Sequence, residues 1–157
     1  MSAYIDGLKM LGRRELSEQQ IRQRLARKEY PQDEIDDAVA KLREERAIND
    51  QRVAEAIARM ETGIRKRGKV RVRMQIERAG IAKETAKAAI DDIFGSIDDE
   101  ALLEASLRKR LRGRETIADE REFQRLFRYL ISQGFESDRV MQALRAKRGR
   151  GRGPAVE

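Results

Sequence analysis

Six cations and no acid lie between Arg65 and Arg73: Arg65, Lys66, Arg67, Lys69, Arg71 and Arg73. A second run holds Arg108, Lys109, Arg110, Arg112 and Arg114. Such clusters can neutralise phosphates without reading bases, since aromatics suited to stacking are not interleaved with them. They can equally face an acidic protein groove. A third reading needs no partner: the aliphatic stems cover apolar seams while the charged heads stay in water. The candidate partner- or DNA-binding residues are therefore Arg65, Lys66, Arg67, Lys69, Arg71, Arg73, Arg108, Lys109 and Arg110.

Other chemistry is poorly represented. Histidine and cysteine are both absent, which removes the commonest general base, the commonest metal ligand and all thiol chemistry. There is no phosphate-cradling glycine loop, no nucleophile elbow and no cluster with metal-ligand spacing. Asp36–Asp37 and Asp91–Asp92 are adjacent pairs near helix starts. Neighbours on a helix point about 100° apart, so the pairs make poor metal clamps and are better explained by the helix dipole. The expectation is a protein that is not an enzyme and carries no cofactor and no metal.

The elements that position these cations follow from composition and periodicity. The chain has 157 residues, 40% charged and 39% hydrophobic, with 4% aromatics and two prolines. That composition suits helices each exposed on one side. No apolar run reaches the roughly 20 residues needed to span a bilayer. The first 14 residues pattern as an amphipathic helix rather than a signal peptide, so the expected compartment is the cytoplasm. The net charge of +7 is unevenly placed: residues 1–49 sum to zero, 50–97 to +4, 98–142 to −1 and 143–157 to +4.

Internal repeats organise the chain. With Tyr30, Ile81 and Phe135 aligned, nine positions earlier lie Ile21, Val72 and Leu126, and five earlier Leu25, Ile76 and Leu130. Eight positions later lie Ala38, Ala89 and Ala143, and nine later Val39, Ile90 and Leu144. Spacings of three and four residues belong to helices. Each unit therefore closes as helix, tight turn, helix. Gly80 and Gly134 suit left-handed C-terminal caps, and Pro31 suits a first helical turn. Ser17-x-x-Gln20 reads as a capping box, and Asp50 and Asp98 as helix N-caps.

Residues 69–77 alternate apolar and polar, which alone would suggest a strand. Their counterparts in the other units are helical, so we assign 69–79 to a helix with a Val72–Ile76–Ala79 seam. Val70 and Met74 then fall off the seam, against a second internal contact or a partner. Helices preceding each pair run over about 3–14, 50–65 and 98–111, and 112–118 is the internal loop. The fold expected is all-α, an elongated array of three tandem three-helix repeats. Its divisions are 1–48, a basic central 49–96, and 97–148, followed by a disordered basic tail, 149–157. The last two helices of a unit have a helix–turn–helix outline. However, the would-be recognition helices of the first two units carry Asp33, Glu34, Asp36 and Asp37, or Asp91 and Asp92, which repel phosphate, and only that of the last unit is basic, with Arg139, Arg145, Lys147 and Arg148.

The run from Gly7 to Tyr30, with Ile48-Asn49-Asp50, Arg52-Val53-Ala54, Gly68 and Gly80-Ile81, resembles the RecX regulatory proteins. The likeness spans about 5–147, more loosely in the third unit. Val53 and Ile57 stand where aromatics are usual in that family, and Lys69 where a proline often follows the glycine. The resemblance implies three tandem three-helix repeats. It also implies a non-enzymatic regulator of the RecA recombinase in DNA repair, recombination and the SOS response. Such a protein would bind the RecA–DNA filament, usually as an inhibitor, with DNA-backbone contact possible. No membrane partner is expected, and the oligomeric state is left open with a monomer favoured. A general DNA-binding helical protein, without base reading, is the alternative.

Overall fold

A computed structural model describes residues 2–149; the expected basic tail lies outside them apart from Gly149. The described residues form nine α-helices in three successive triplets, with no strand beyond an isolated bridge between Ile117 and Arg148. No helix among them is long and apolar enough to cross a membrane. They divide into two compact units, one of 2–59 and 73–93, the other of 60–72 and 94–149.

The first unit contains α1 (Ala3–Arg13), α2 (Glu18–Arg27) and α3 (Gln32–Glu44). Their apolar faces close over Leu16, Ile21, Leu25, Ile35, Val39 and Leu42, all essentially without exposure. A Cβ on Gly7 would lie 2.9 Å from Leu42 Cδ1, so glycine lets α1 sit tightly on this core. The unit also takes residues 50–59 of α4 (Asp50–Gly63), 73–78 of α5 (Lys69–Arg78) and 83–93 of α6 (Lys83–Phe94). Ser17 and Gln20 form the expected capping box. The Ser17 hydroxyl also donates to the Ala79 carbonyl, so one buried side chain serves two helix ends. Asp50 is not the N-cap of α4. Asn49 accepts the Arg52 N–H at 3.0 Å, while the Asp50 carboxylate accepts the Glu18 N–H at 2.9 Å.

The expected left-handed caps are present and extend to the first triplet. Gly80 and Gly134 have φ of 80° and 98°, and the equivalent Glu29 adopts 67°. Glycine there avoids a Cβ penalty that Glu29 must bear. In the second unit, α7 (Asp99–Leu111), α8 (Glu120–Ser132) and α9 (Ser137–Ala146) surround Leu103, Leu107, Leu111, Leu130, Val140 and Leu144. Asp98 caps α7 as expected, accepting from the Ala101 N–H. Residues 60–63 of α4 and 69–72 of α5 complete this unit. Along α5, Val72 and Ile76 are fully buried and Ala79, just past its end, nearly so. Val70 and Met74, off that seam, are 39% and 42% exposed.

Candidate partner and nucleic-acid interface

The cations between 65 and 73 have different fates. Glu61, near the end of α4, is only 2% exposed. Arg65 Nη1 lies 3.3 Å from one of its carboxylate oxygens, and Arg67 Nη1 3.5 Å from the other. The Arg67 contact is an ion pair without hydrogen-bond geometry. The Arg67 N–H also donates to the Glu61 carbonyl at 2.8 Å. Arg67 is thus turned inward, with a side chain 18% exposed, whereas that of Arg65 is half-exposed. Lys66 sits at the apex of the turn with φ of 57° and points to solvent.

Residues 68–71 join the C-terminus of α8. The Gly68 and Val70 N–H groups donate to the Gln133 and Gly134 carbonyls at 2.9 and 3.0 Å. Arg71 Nη1 donates to the Ser132 carbonyl at 3.1 Å. Carbonyls left over at one helix end therefore satisfy the leftover N–H groups at the start of another. The positive end of one helix dipole meets the negative end of the other. Gly68 and Gly134 permit the approach: a Cβ on either would fall 2.3–2.6 Å from the opposing chain. Arg71 is therefore a positioning residue as well as a cation. Lys69 is half-buried, its ammonium 5.4 Å from the Phe94 ring centre. Nearby Asp99 has its carboxyl pushed up by burial, against the opposing charges of Lys69 and Arg139. Arg73 belongs to the first unit, where it is exposed.

Of the second cluster, Arg108, Lys109 and Arg110 are exposed on the last turn of α7. Arg108 reaches back to Glu104 at 3.0 Å, and the Arg110 guanidinium lies 3.6 Å from the Tyr129 ring centre on α8. Arg114 serves the loop instead. It forks onto both oxygens of Glu122, which also accepts the Ala118 N–H at 2.8 Å. These bonds, Arg114 first, hold the Glu122 carboxyl at about 2, well below its ordinary 4.5. A depressed carboxylate pKa stabilises the fold above the ordinary value and is lost on acidification. Stability should therefore fall as pH drops from about 4.5 towards 2. In Glu122→Gln that dependence should shrink, with about 1–2 kcal/mol lost at neutral pH for a partly solvated, charge-assisted pair. Urea unfolding at the two ends of that range is the measurement; an unchanged acid slope in the variant would remove Glu122 as its source.

Charge counting passed over a further feature. Arg121, Arg125 and Arg128 are all exposed on α8. Their spacing of four and three residues puts them on one face. Tyr129, one turn beyond Arg125, brings Arg110 to the edge of that face. The arginine spacing is readable in the sequence, but the net charge of residues 98–142 masks it. This surface can contact phosphates or carboxylates. No group of three or more acidic residues among the described residues could hold a metal ion.

The fold and site thus define an all-helical protein of three-helix modules with exposed arginine and lysine at several helix ends and faces. Residues 3–42 match the model for "RecX, first three-helix domain". The chain is 29% identical over 141 residues to "Regulatory protein RecX" of Syntrophotalea carbinolica, covering 89% of this chain and 92% of that one. It is 29% identical over 140 residues to the protein of that name from Halorhodospira halophila, covering 88% and 84%. The crystal structure of RecX from Lactobacillus salivarius shares the fold, with a TM-score of 0.74 at 19% identity over 92% of this chain and 95% of that one. A second, described as regulatory protein RecX, gives a TM-score of 0.72 at 22% identity over 92% and 70%. The chain is thus similar to RecX proteins over most of its length, and its first triplet matches their first three-helix domain.

Proposed function

We propose that this chain is a non-enzymatic regulator that binds RecA–DNA filaments and restrains recombinase activity. The observation that carries the reading is the likeness, over 89% of the chain, to a protein named as a RecX regulator. Lys66, Arg73, Arg108, Lys109 and Arg110 are exposed and supply cations for acidic partner surface or DNA phosphate. Arg65 and Lys69 contribute at its margin, and Arg67 and Arg71 hold the start of α5 in place. Many modest contacts repeated along a filament add through effective concentration.

The test is co-sedimentation with RecA filaments on single-stranded DNA, beside the same DNA without RecA. Pelleting should depend on RecA at physiological salt. Lys66→Glu with Lys109→Glu should weaken it by about tenfold or more, the scale of two lost charge contacts. These two positions are chosen because neither has an ion-pair partner among the described residues, so the variant should stay helical. Equal pelleting with bare DNA would overturn the reading in favour of a general nucleic-acid-binding protein.

A further inference from the structure

The last turn of α4 carries a stacked pair of exposed apolar side chains. Ile64 is 77% exposed and Met60 42% exposed. The Ile64 N–H donates to the Met60 carbonyl at 3.0 Å, so the helical turn runs on past Gly63 and sets the two side chains on one face. Single apolar residues scattered over a surface need no explanation. A stacked pair beside an empty shelf does.

The shelf is Gly63. It is exposed and helical, and a Cβ there would meet nothing within 4 Å. It is not one of the glycines with left-handed backbone. Neither a turn nor an internal close approach therefore calls for glycine, although glycine weakens a helix relative to other residues. A backbone approaching from outside would call for it.

The charge beside this face has one sign. Glu61, the neighbouring acid, is 2% exposed and engaged by Arg65 and Arg67. No acid occurs from 62 to 76. Arg65 keeps half its side chain exposed, and Lys66, with φ of 57° at the turn, has no ion-pair partner among the described residues. The apolar pair thus leads straight into cations whose nearest acid in the chain is spent internally.

We propose that the exposed end of α4 docks an acidic amphipathic helix of a protein partner. The partner's apolar residues would lie on Met60 and Ile64, its backbone would approach over Gly63, and its carboxylates would face Arg65 and Lys66. A second copy of this chain, packed face to face, would set Arg65 and Lys66 against themselves. A phosphate backbone would use the cations and leave Met60 and Ile64 in water. The inference rests on the reading that this chain acts by binding a protein filament, and it names the kind of segment held there.

Co-sedimentation with RecA filaments on single-stranded DNA is the test, run for the full chain and its variants at low and at physiological salt. Ile64→Ser should weaken pelleting about tenfold at both, as loss of an apolar anchor does. Gly63→Gln should be at least as stable to urea as the parent and yet pellet about tenfold less, a combination that a structural role does not give. Lys66→Gln should lose about threefold at low salt and less at physiological salt. Zero-length carbodiimide coupling, read by mass spectrometry, should join Lys66 to an Asp or Glu of a segment with apolar residues at helical spacing, and should not so join Lys83. Pelleting of Ile64→Ser and Gly63→Gln equal to the parent's would overturn the docking face and leave the proposed function standing. Loss confined to Lys66→Gln would also overturn it, returning the surface to phosphate contact. A parent that fails to pellet would overturn the proposed function and this face with it.

Discussion

Gly134→Ala should cost the second unit roughly 3–5 kcal/mol, a large share of the stability of an ordinary domain. Two effects combine. The residue has φ of 98°, which a side chain disfavours, and the new Cβ would lie 2.3 Å from Arg71 Cβ and 2.4 Å from its nitrogen. Neither obstacle is the free end of a flexible side chain, so relief requires α5 to withdraw from α8. The Gly68 and Val70 N–H bonds to Gln133 and Gly134, and the Arg71 bond to Ser132, would go with it. Two comparisons separate the causes. Gly113 has φ of 88° but open space around it, so Gly113→Ala should show backbone strain alone, about 1 kcal/mol. Gly63 is helical with nothing within 4 Å, so Gly63→Ala should gain roughly 0.5–1 kcal/mol. Urea unfolding of the three variants decides the matter. A loss for Gly134→Ala no greater than that for Gly113→Ala would refute the close-approach account.

Arg67→Met should lose about 2–4 kcal/mol although it removes one cation from a chain with an excess of them. The reason is Glu61, whose carboxylate is almost wholly enclosed. Without Arg67 it keeps only Arg65, half-exposed and 3.3 Å away. Arg65→Met should cost less, about 1 kcal/mol or under, because water can take over its role. Glu61→Leu combined with Arg67→Met should recover most of the loss, since an apolar pair of similar volume leaves no buried charge. Thermal unfolding across this double-mutant cycle gives the coupling directly. Stability of Arg67→Met within about 0.5 kcal/mol of the parent would show that Glu61 needs no such partner.

These two variants mark where sequence reasoning reached and where it stopped. The role of Gly134 as a left-handed cap is local, and the repeat pattern exposed it. Its second role, giving room to Arg71, joins residues 63 apart in the chain and leaves no periodic trace. The Val72–Ile76–Ala79 seam was legible because seams obey the helical period. The fates of the cations were not, because the charge of a residue says nothing about whether its head faces solvent or a buried Glu61. Asp50 and Asn49 illustrate the same limit one residue apart. Both are good capping residues, and only the position of Glu18 decides that Asp50 is occupied elsewhere.

The assignment of 60–72 with 94–149 has a consequence for synthesis on the ribosome. Chains emerge N-terminus first at roughly 5–20 residues per second. Residues 60–72 leave the tunnel well before the carbonyls of Ser132, Gln133 and Gly134 that receive them. For several seconds Glu61, the Gly68 and Val70 N–H groups and Val72 belong to a half-made domain, while the basic stretch around them is fully displayed. The nascent chain therefore presents this run of positive charge before it owns the helix that will hold it.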